Sequence, residues 1–222
     1  MSRPDDPTSS GSGRGRLPDS YFHDMYASSD DPWGFTSRWY ERRKYALTLA
    51  ALTRPRYRSV FEPGCSIGVL SEGLAARCGR LVCTDVSPRA VDLARRRLAR
   101  HPHVDVQVGD IAGDWPSQRF DLIVLSEVLY YLDDAALAGL IARLPAALTP
   151  DGEVIAVHWR WPVEEYPQSG DDVHAALARS PLIASTSYSD TDFRLDVLRL
   201  SPERSVAQRE GLVDSTELYD PA

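Results

Sequence analysis

Cysteine is scarce here: three residues in 222, an odd number, each inside a stretch that reads as core. That excludes a disulfide framework and points to reduced, buried thiols, as in a cytoplasmic protein. Basic charge is also in deficit, with 25 Lys and Arg against 32 Asp and Glu and a net charge of −7. A general affinity for nucleic acid needs a basic field, so that class is disfavoured, although a local basic patch is not. No apolar run approaches membrane-spanning length, and the N-terminal stretch lacks the apolar core of a signal peptide. No membrane or nucleic-acid partner is therefore expected. Internal repeats are absent. At 43% hydrophobic content there is enough apolar material for one sizeable core without disulfides or a structural metal.

The chain begins MSRPDDPTSSGSGRGRLPD, rich in Pro, Gly and Ser, so residues 1–18 read as a disordered tail. Two helices follow, Tyr21–Ala27 and Ser37–Leu52, assigned together to a helical unit over 19–54. Strands and helices then alternate across 55–202. Strands are expected at Ser59–Glu62, Leu81–Thr84, Val104–Val108, Phe120–Leu125, Glu153–Val157, Ala184–Ser189 and Phe193–Leu200. Helices are expected near Val69–Arg77, Pro88–Arg100, Asp133–Leu148 and Asp172–Arg179. Phe120–Leu125 is the buried run that a central parallel strand requires. Residues 203–222 are polar, acid-rich and expected to be loosely held.

The most informative stretch is Ser59–Gly68, SVFEPGCSIG. A short apolar strand delivers Glu62 and then two glycines into a turn, and a helical pattern follows at once. Glycine lets the backbone approach a ligand closely, and the helix start offers free N–H groups. A dinucleotide site would show G-x-G-x-x-G. Here the spacing is Glu62-x-Gly64-x-x-x-Gly68, with Cys65 and Ser66 between, and no central glycine. The second strand ends in Asp85 about twenty residues on, where a carboxylate can accept both hydroxyls of a ribose. Helix N-capping is the competing role for Asp85, but Ser87 before Pro88 already fills it.

In repeated βα units the ligand lies at the carboxyl ends of the strands. Each strand here ends in polar residues: Glu62, Asp85, Asp110, Ser126 with Glu127, and His158. Five polar ends in register read as a site. Glu62 is expected to accept N–H groups of the glycine loop. Asp110 is expected to accept an adenine amine, with Val86 and Ile111 on the two ring faces, or else to sit in a solvated turn.

The glycine loop resembles the first motif of class I S-adenosylmethionine (AdoMet) methyltransferases. Further blocks narrow the resemblance: Tyr21-Phe22 with Tyr26, Asp31-Pro32-Trp33-Gly34-Phe35, Trp39-Tyr40-Glu41-Arg42-Arg43-Lys44-Tyr45, Leu125-Ser126-Glu127-Val128 with Tyr130-Tyr131, and Val157-His158-Trp159-Arg160. Together with Glu62-Pro63-Gly64-Cys65-Ser66-Ile67-Gly68 they are similar to the nodulation-protein-S-like methyltransferases, from about Tyr21 to Leu200. The resemblance implies a Rossmann-like sheet of seven strands in the order 3-2-1-4-5-7-6, the seventh antiparallel, with the N-terminal helices as a lid. It implies AdoMet as methyl donor, S-adenosylhomocysteine (AdoHcy) as product, no metal, and an amino-sugar or oligosaccharide acceptor methylated on nitrogen. A monomer or homodimer is expected.

Glu127 and His158, at the ends of adjacent strands, are the candidates to bind the acceptor ammonium or take its proton. Glu127 could instead cap a helix, and His158 could hydrogen-bond backbone. Arg42 or Arg43, taken as Arg43, is assigned to the cofactor carboxylate because a guanidinium fork suits it; a solvated helix face is the alternative. Tyr26, Trp33, Tyr131, Trp159 and Arg160 are the candidate acceptor residues, with core packing as the rival for the aromatic ones, above all for Trp39. An NAD-dependent oxidoreductase would share the fold, but the glycine spacing is wrong for it. A non-catalytic AdoMet-binding protein and a hydroxyl acceptor remain as alternatives.

Overall fold

A computed structural model describes residues 15–202 and 204–213. The expectations for residues 1–14, 203 and 214–222 fall outside the described residues. Seven strands form one sheet: β1 Tyr57–Pro63, β2 Cys78–Asp85, β3 Val104–Val108, β4 Phe120–Ser126, β5 Leu148–Trp159, β6 Ile183–Ser189 and β7 Phe193–Arg199. Their order is β3-β2-β1-β4-β5-β7-β6. The first five are parallel, and β7 runs antiparallel between β5 and β6. The expected order and the reversed seventh strand are both observed.

The helices form where local chemistry directs them. Helix α4 (Pro88–Arg97) has proline in its first turn and Ser87 as its cap, accepting from the Ala90 N–H. Helix α5 (Asp134–Ala147) is capped by Asp133. Helix α6 (Gly170–Ala178) opens with a reciprocal capping box between Ser169 and Asp172. With α3 (Val69–Ala75), they cover the two faces of the sheet. Leu70, Leu74, Val91 and Ala94 pack on one face, and Leu137, Leu140, Leu144 and Leu177 on the other. Burying each such leucine or valine contributes about 1.5–3 kcal/mol. Strand β4 is covered on both sides, with Phe120–Leu125 entirely buried.

Three boundaries differ from expectation. Strand β5 starts at Leu148, directly after α5, because a register shift between Phe120 and Leu122 lets Leu148 pair with Phe120. The last residues of the supposed tail, from Arg16 on, are held: Leu17 donates its N–H to the Tyr131 carbonyl at 3.0 Å. Within the supposed loose C-terminus, Val206–Arg209 forms a short capped helix, α7, and the Arg209 guanidinium reaches the Thr53 carbonyl. Helices α1 (Asp19–Ser28) and α2 (Trp39–Ala51) contribute residues to the cavity over the carboxyl ends of the central strands. Trp39 is 68% exposed, so it is not the core residue expected; its neighbours Tyr40 and Tyr45 pack against the core instead.

Candidate active site

A cavity of about 540 Å³ lies where the carboxyl ends of β1, β2, β4 and β5 meet the two N-terminal helices. Of the residues singled out from sequence, Glu62, Gly64, Cys65, Ser66, Asp85, Val86, Asp110, Ile111, Ser126, Glu127, Tyr26, Trp33, Tyr131 and Trp159 line it. Arg43, Gly68, His158 and Arg160 do not.

The floor is the turn after β1. Gly64 (φ +71°), Ser66 (φ +52°) and Gly68 (φ +78°) all adopt left-handed backbone. A Cβ on Gly64 would lie 2.2 Å from Val128 Cγ1, so glycine is needed there to let the turns after β1 and β4 close together. Gly68 does not line the cavity; a Cβ there would press on Ala94 Cβ and Leu98 Cδ1 at 3.2 Å, so glycine lets the turn approach α4. Ser66 is a non-glycine residue in a costly conformation, and two bonds hold it there. Its N–H donates to Asp85 Oδ2 at 2.8 Å, and its hydroxyl meets that of Tyr26 on α1.

Asp85, not Glu62, is therefore the carboxylate that accepts from the loop backbone. Its other oxygen accepts the Ser87 N–H at 2.9 Å. Burial pushes the Asp85 carboxyl up to about 6, against the downward pull of those two N–H bonds. Glu62 accepts from the Cys83 thiol instead, at 3.5 Å. Burial raises it to about 7. Asp110 accepts the Ala112 N–H at 2.9 Å and pairs with Arg16 at 2.6 Å, closing one end of the cavity with the N-terminal segment.

The other end is built around Glu127, which follows β4 with φ +60°. Its Oε2 accepts the Tyr130 hydroxyl and the Trp159 N–H, the latter at 3.3 Å. Its Oε1 lies 3.1 Å from Lys44 Nζ, which also lies 3.0 Å from Glu41 Oε2. Lys44 and Glu41 sit on α2 with side chains 1% and 7% exposed. The ammonium also faces the rings of Tyr40 and Tyr45 at 4.8 and 5.4 Å. Neither ion pair is in hydrogen-bond geometry: Glu41 Oε2, Glu127 Oε1 and the Tyr40 hydroxyl are buried without a hydrogen-bond partner.

His158 is the main correction. Its side chain is completely buried behind the cavity wall. The Leu129 N–H donates to its Nε2 at 3.3 Å, so its proton is on Nδ1, facing His174 Nε2 at 3.2 Å. His174 in turn donates from Nδ1 to Asp196 at 2.5 Å. Burial, then His174 and Lys44, hold His158 well below its usual range. It stays neutral and supports backbone. Arg43 pairs with Asp190 and bonds the Tyr188 hydroxyl, which turns it away from the cavity. Arg160 pairs with Asp171 at 2.9 Å and bonds the Asp190 carbonyl. Sequence reading missed Arg16, Glu41, Lys44, Tyr45 and Tyr130 as lining residues, although all but Arg16 stand inside the blocks that carry the family resemblance; the i,i+3 spacing of Glu41 and Lys44 between two tyrosines lay in a run read as a basic face.

The chain matches the family of nodulation protein S over residues 22–167. A nodulation protein S of Rhizobium tropici is 36% identical over 141 residues, covering 60% of this chain and 59% of that protein. The chain thus spans about three fifths of the length of the curated relatives it matches. A solved protein from Pseudomonas syringae, regarded as a methyltransferase, is 52% identical with a TM-score of 0.65, covering 72% of this chain and 99% of that one. The N-methyltransferase nodulation protein S of Bradyrhizobium japonicum, solved with AdoHcy, is 28% identical with a TM-score of 0.74, covering 83% and 99%. With the family match extending over well over half its length, the chain belongs to the nodulation protein S family.

Proposed function

We propose that this chain is an AdoMet-dependent methyltransferase that methylates a free amine of an amino sugar, an oligosaccharide or a related small metabolite. The observation that carries the reading is Asp85: a buried carboxylate at the end of β2, tied to the glycine turn, on the wall of the cavity at the carboxyl ends of the strands. A ribose diol is the ligand such an acceptor suits. The fit extends along the cavity. Gly64, Cys65 and Ser66 offer close backbone at the amino-acid end, Val86 and Ile111 apolar surface for a purine, and Asp110 an acceptor at its edge.

When bound, AdoMet supplies a methyl on a sulfonium, already an excellent leaving group. The chain's own task is then to align, desolvate and deprotonate the acceptor nitrogen. Tyr26, Trp33, Tyr131 and Trp159 line the space with ring surface. Glu127 offers negative charge at the end of β4, where an acceptor ammonium is held. A cytoplasmic location suits three free, buried cysteines; no helix among the described residues is long and apolar enough to cross a membrane. Calorimetry with AdoHcy and NAD tests the cofactor assignment: binding of AdoHcy alone is expected, and binding of NAD alone contradicts it.

A further inference from the structure

Deprotonation of the acceptor needs a destination for the proton, and the groups first suspected are poorly placed to provide one. His158 is behind the wall with its Nε2 lone pair given to Leu129. Glu127 has one oxygen taken by two donors and the other facing Lys44. Glu41, on the second helix, also lines the cavity and also faces Lys44, its Oε2 lying 3.0 Å from Nζ, but that oxygen accepts no hydrogen bond and Glu41 lacks the Tyr130 and Trp159 donors that fix Glu127.

Resting on the methyltransferase reading, we propose that Glu41 is the proton acceptor for the substrate amine, and that Lys44 is a positioning residue tying Glu41 and Glu127 into one ammonium-binding site. Two carboxylates against one lysine leave an excess negative charge beside unpartnered oxygens on Glu41, Glu127 and Tyr40. A primary ammonium supplies both the missing charge and the missing donors. The groups facing Glu41 are Lys44 and Tyr45 from its own helix and Glu127 from the end of β4, with Tyr40 beside Lys44 and Glu62 of β1 facing Tyr45. Burial raises the Glu41 carboxyl, in the direction that makes it a better base, while Lys44 opposes that rise.

The step balances without a further reactant. The ammonium passes one proton to Glu41 Oε2 and becomes a neutral amine. Its nitrogen lone pair then forms the N–C bond as the methyl's C–S bond breaks, and the sulfur leaves with that electron pair as AdoHcy. The secondary ammonium product departs, and Glu41 returns its proton to solvent.

The test compares wild type, Glu41→Gln and Glu41→Asp with a fully de-N-acetylated glucosamine tetramer as acceptor, across pH. In Glu41→Gln, kcat is expected to fall about 100-fold or more at neutral pH. The deficit should shrink as pH passes the amine's own pKa, where solvent removes the proton. Glu41→Asp should keep the wild-type shape of the profile at a lower rate. In calorimetry the glutamine variant should bind AdoHcy normally and bind the tetramer, in the presence of AdoHcy, at least about tenfold more weakly. A loss of equal size at every pH, or no loss, overturns the proton-acceptor role. Should Glu41→Gln fail to bind AdoHcy, Glu41→Asp decides, and a profile unlike wild type overturns the proposal. If wild type neither binds AdoHcy nor methylates the tetramer, the methyltransferase reading falls first, and this inference with it.

Discussion

The Tyr26 hydroxyl hydrogen-bonds Ser66 Oγ, joining the first N-terminal helix to the strained turn at the cavity floor. Tyr26 is 4% exposed and packs edge-on against Trp33. The bond holds the first helix and the turn after β1 in one arrangement. Tyr26→Phe keeps the packing and removes only that bond. AdoHcy affinity in calorimetry should drop by about 0.5–1.5 kcal/mol, with little change in thermal stability. Wild-type affinity would show that the helix and the turn are not coupled through this pair.

Asp85 makes a pH prediction of definite sign. Its carboxyl is raised to about 6 in the folded protein. Ribose hydroxyls donate to the ionised form, so AdoHcy affinity should be flat above about pH 7 and fall as pH drops through 6. Asp85→Ala should weaken binding by about 1–3 kcal/mol at pH 8. Asp85→Asn should lose the pH dependence. Calorimetry from pH 5 to 8 measures both, and an unchanged affinity in Asp85→Ala with intact circular dichroism rules out the ribose assignment.

His158 should matter to stability. Its proton is displaced by burial, so the folded pKa lies below the unfolded one. The neutral ring therefore contributes stability above the ordinary histidine pKa of about 6.5, and that contribution is lost as pH falls below it. His158→Ala strands the Leu129 N–H and one nitrogen of His174, which costs about 1–3 kcal/mol at pH 8. The gap to wild type should narrow at pH 5. Urea denaturation at the two pH values tests this; a constant gap would contradict the neutral-relay description.

The alternation of strands and helices was legible because each element carries its own period, caps and breakers, from the buried run of β4 to Ser87-Pro88 at the head of α4. The polar strand ends were legible for a geometric reason: parallel strands bring their carboxyl ends to one edge, so Glu62, Asp85 and Glu127 meet without knowledge of packing. Sheet order came from family resemblance instead. His158 and Trp159 show the limit. Consecutive strand residues face opposite ways, so one position decides between the cavity and the space under α6. Glu41 and Lys44 were missed because an i,i+3 pair on a helix surface is ordinary, and only the docking of that helix buries it. Arg43 and Arg160 were drawn to Asp190 and Asp171, partners distant in sequence or beyond the strand end.

The central claim is transfer of a methyl group to an amine nitrogen. A glucosamine oligosaccharide and its fully N-acetylated form differ only at that atom, and acetylation delocalises its lone pair into an amide. Both are incubated with the protein and methyl-labelled AdoMet, and the products are read by mass spectrometry. The account predicts that the labelled methyl replaces a hydrogen on the free-amine form alone. Equal methylation of both forms would contradict nitrogen as the target, and labelling of neither would contradict the amino-sugar acceptor.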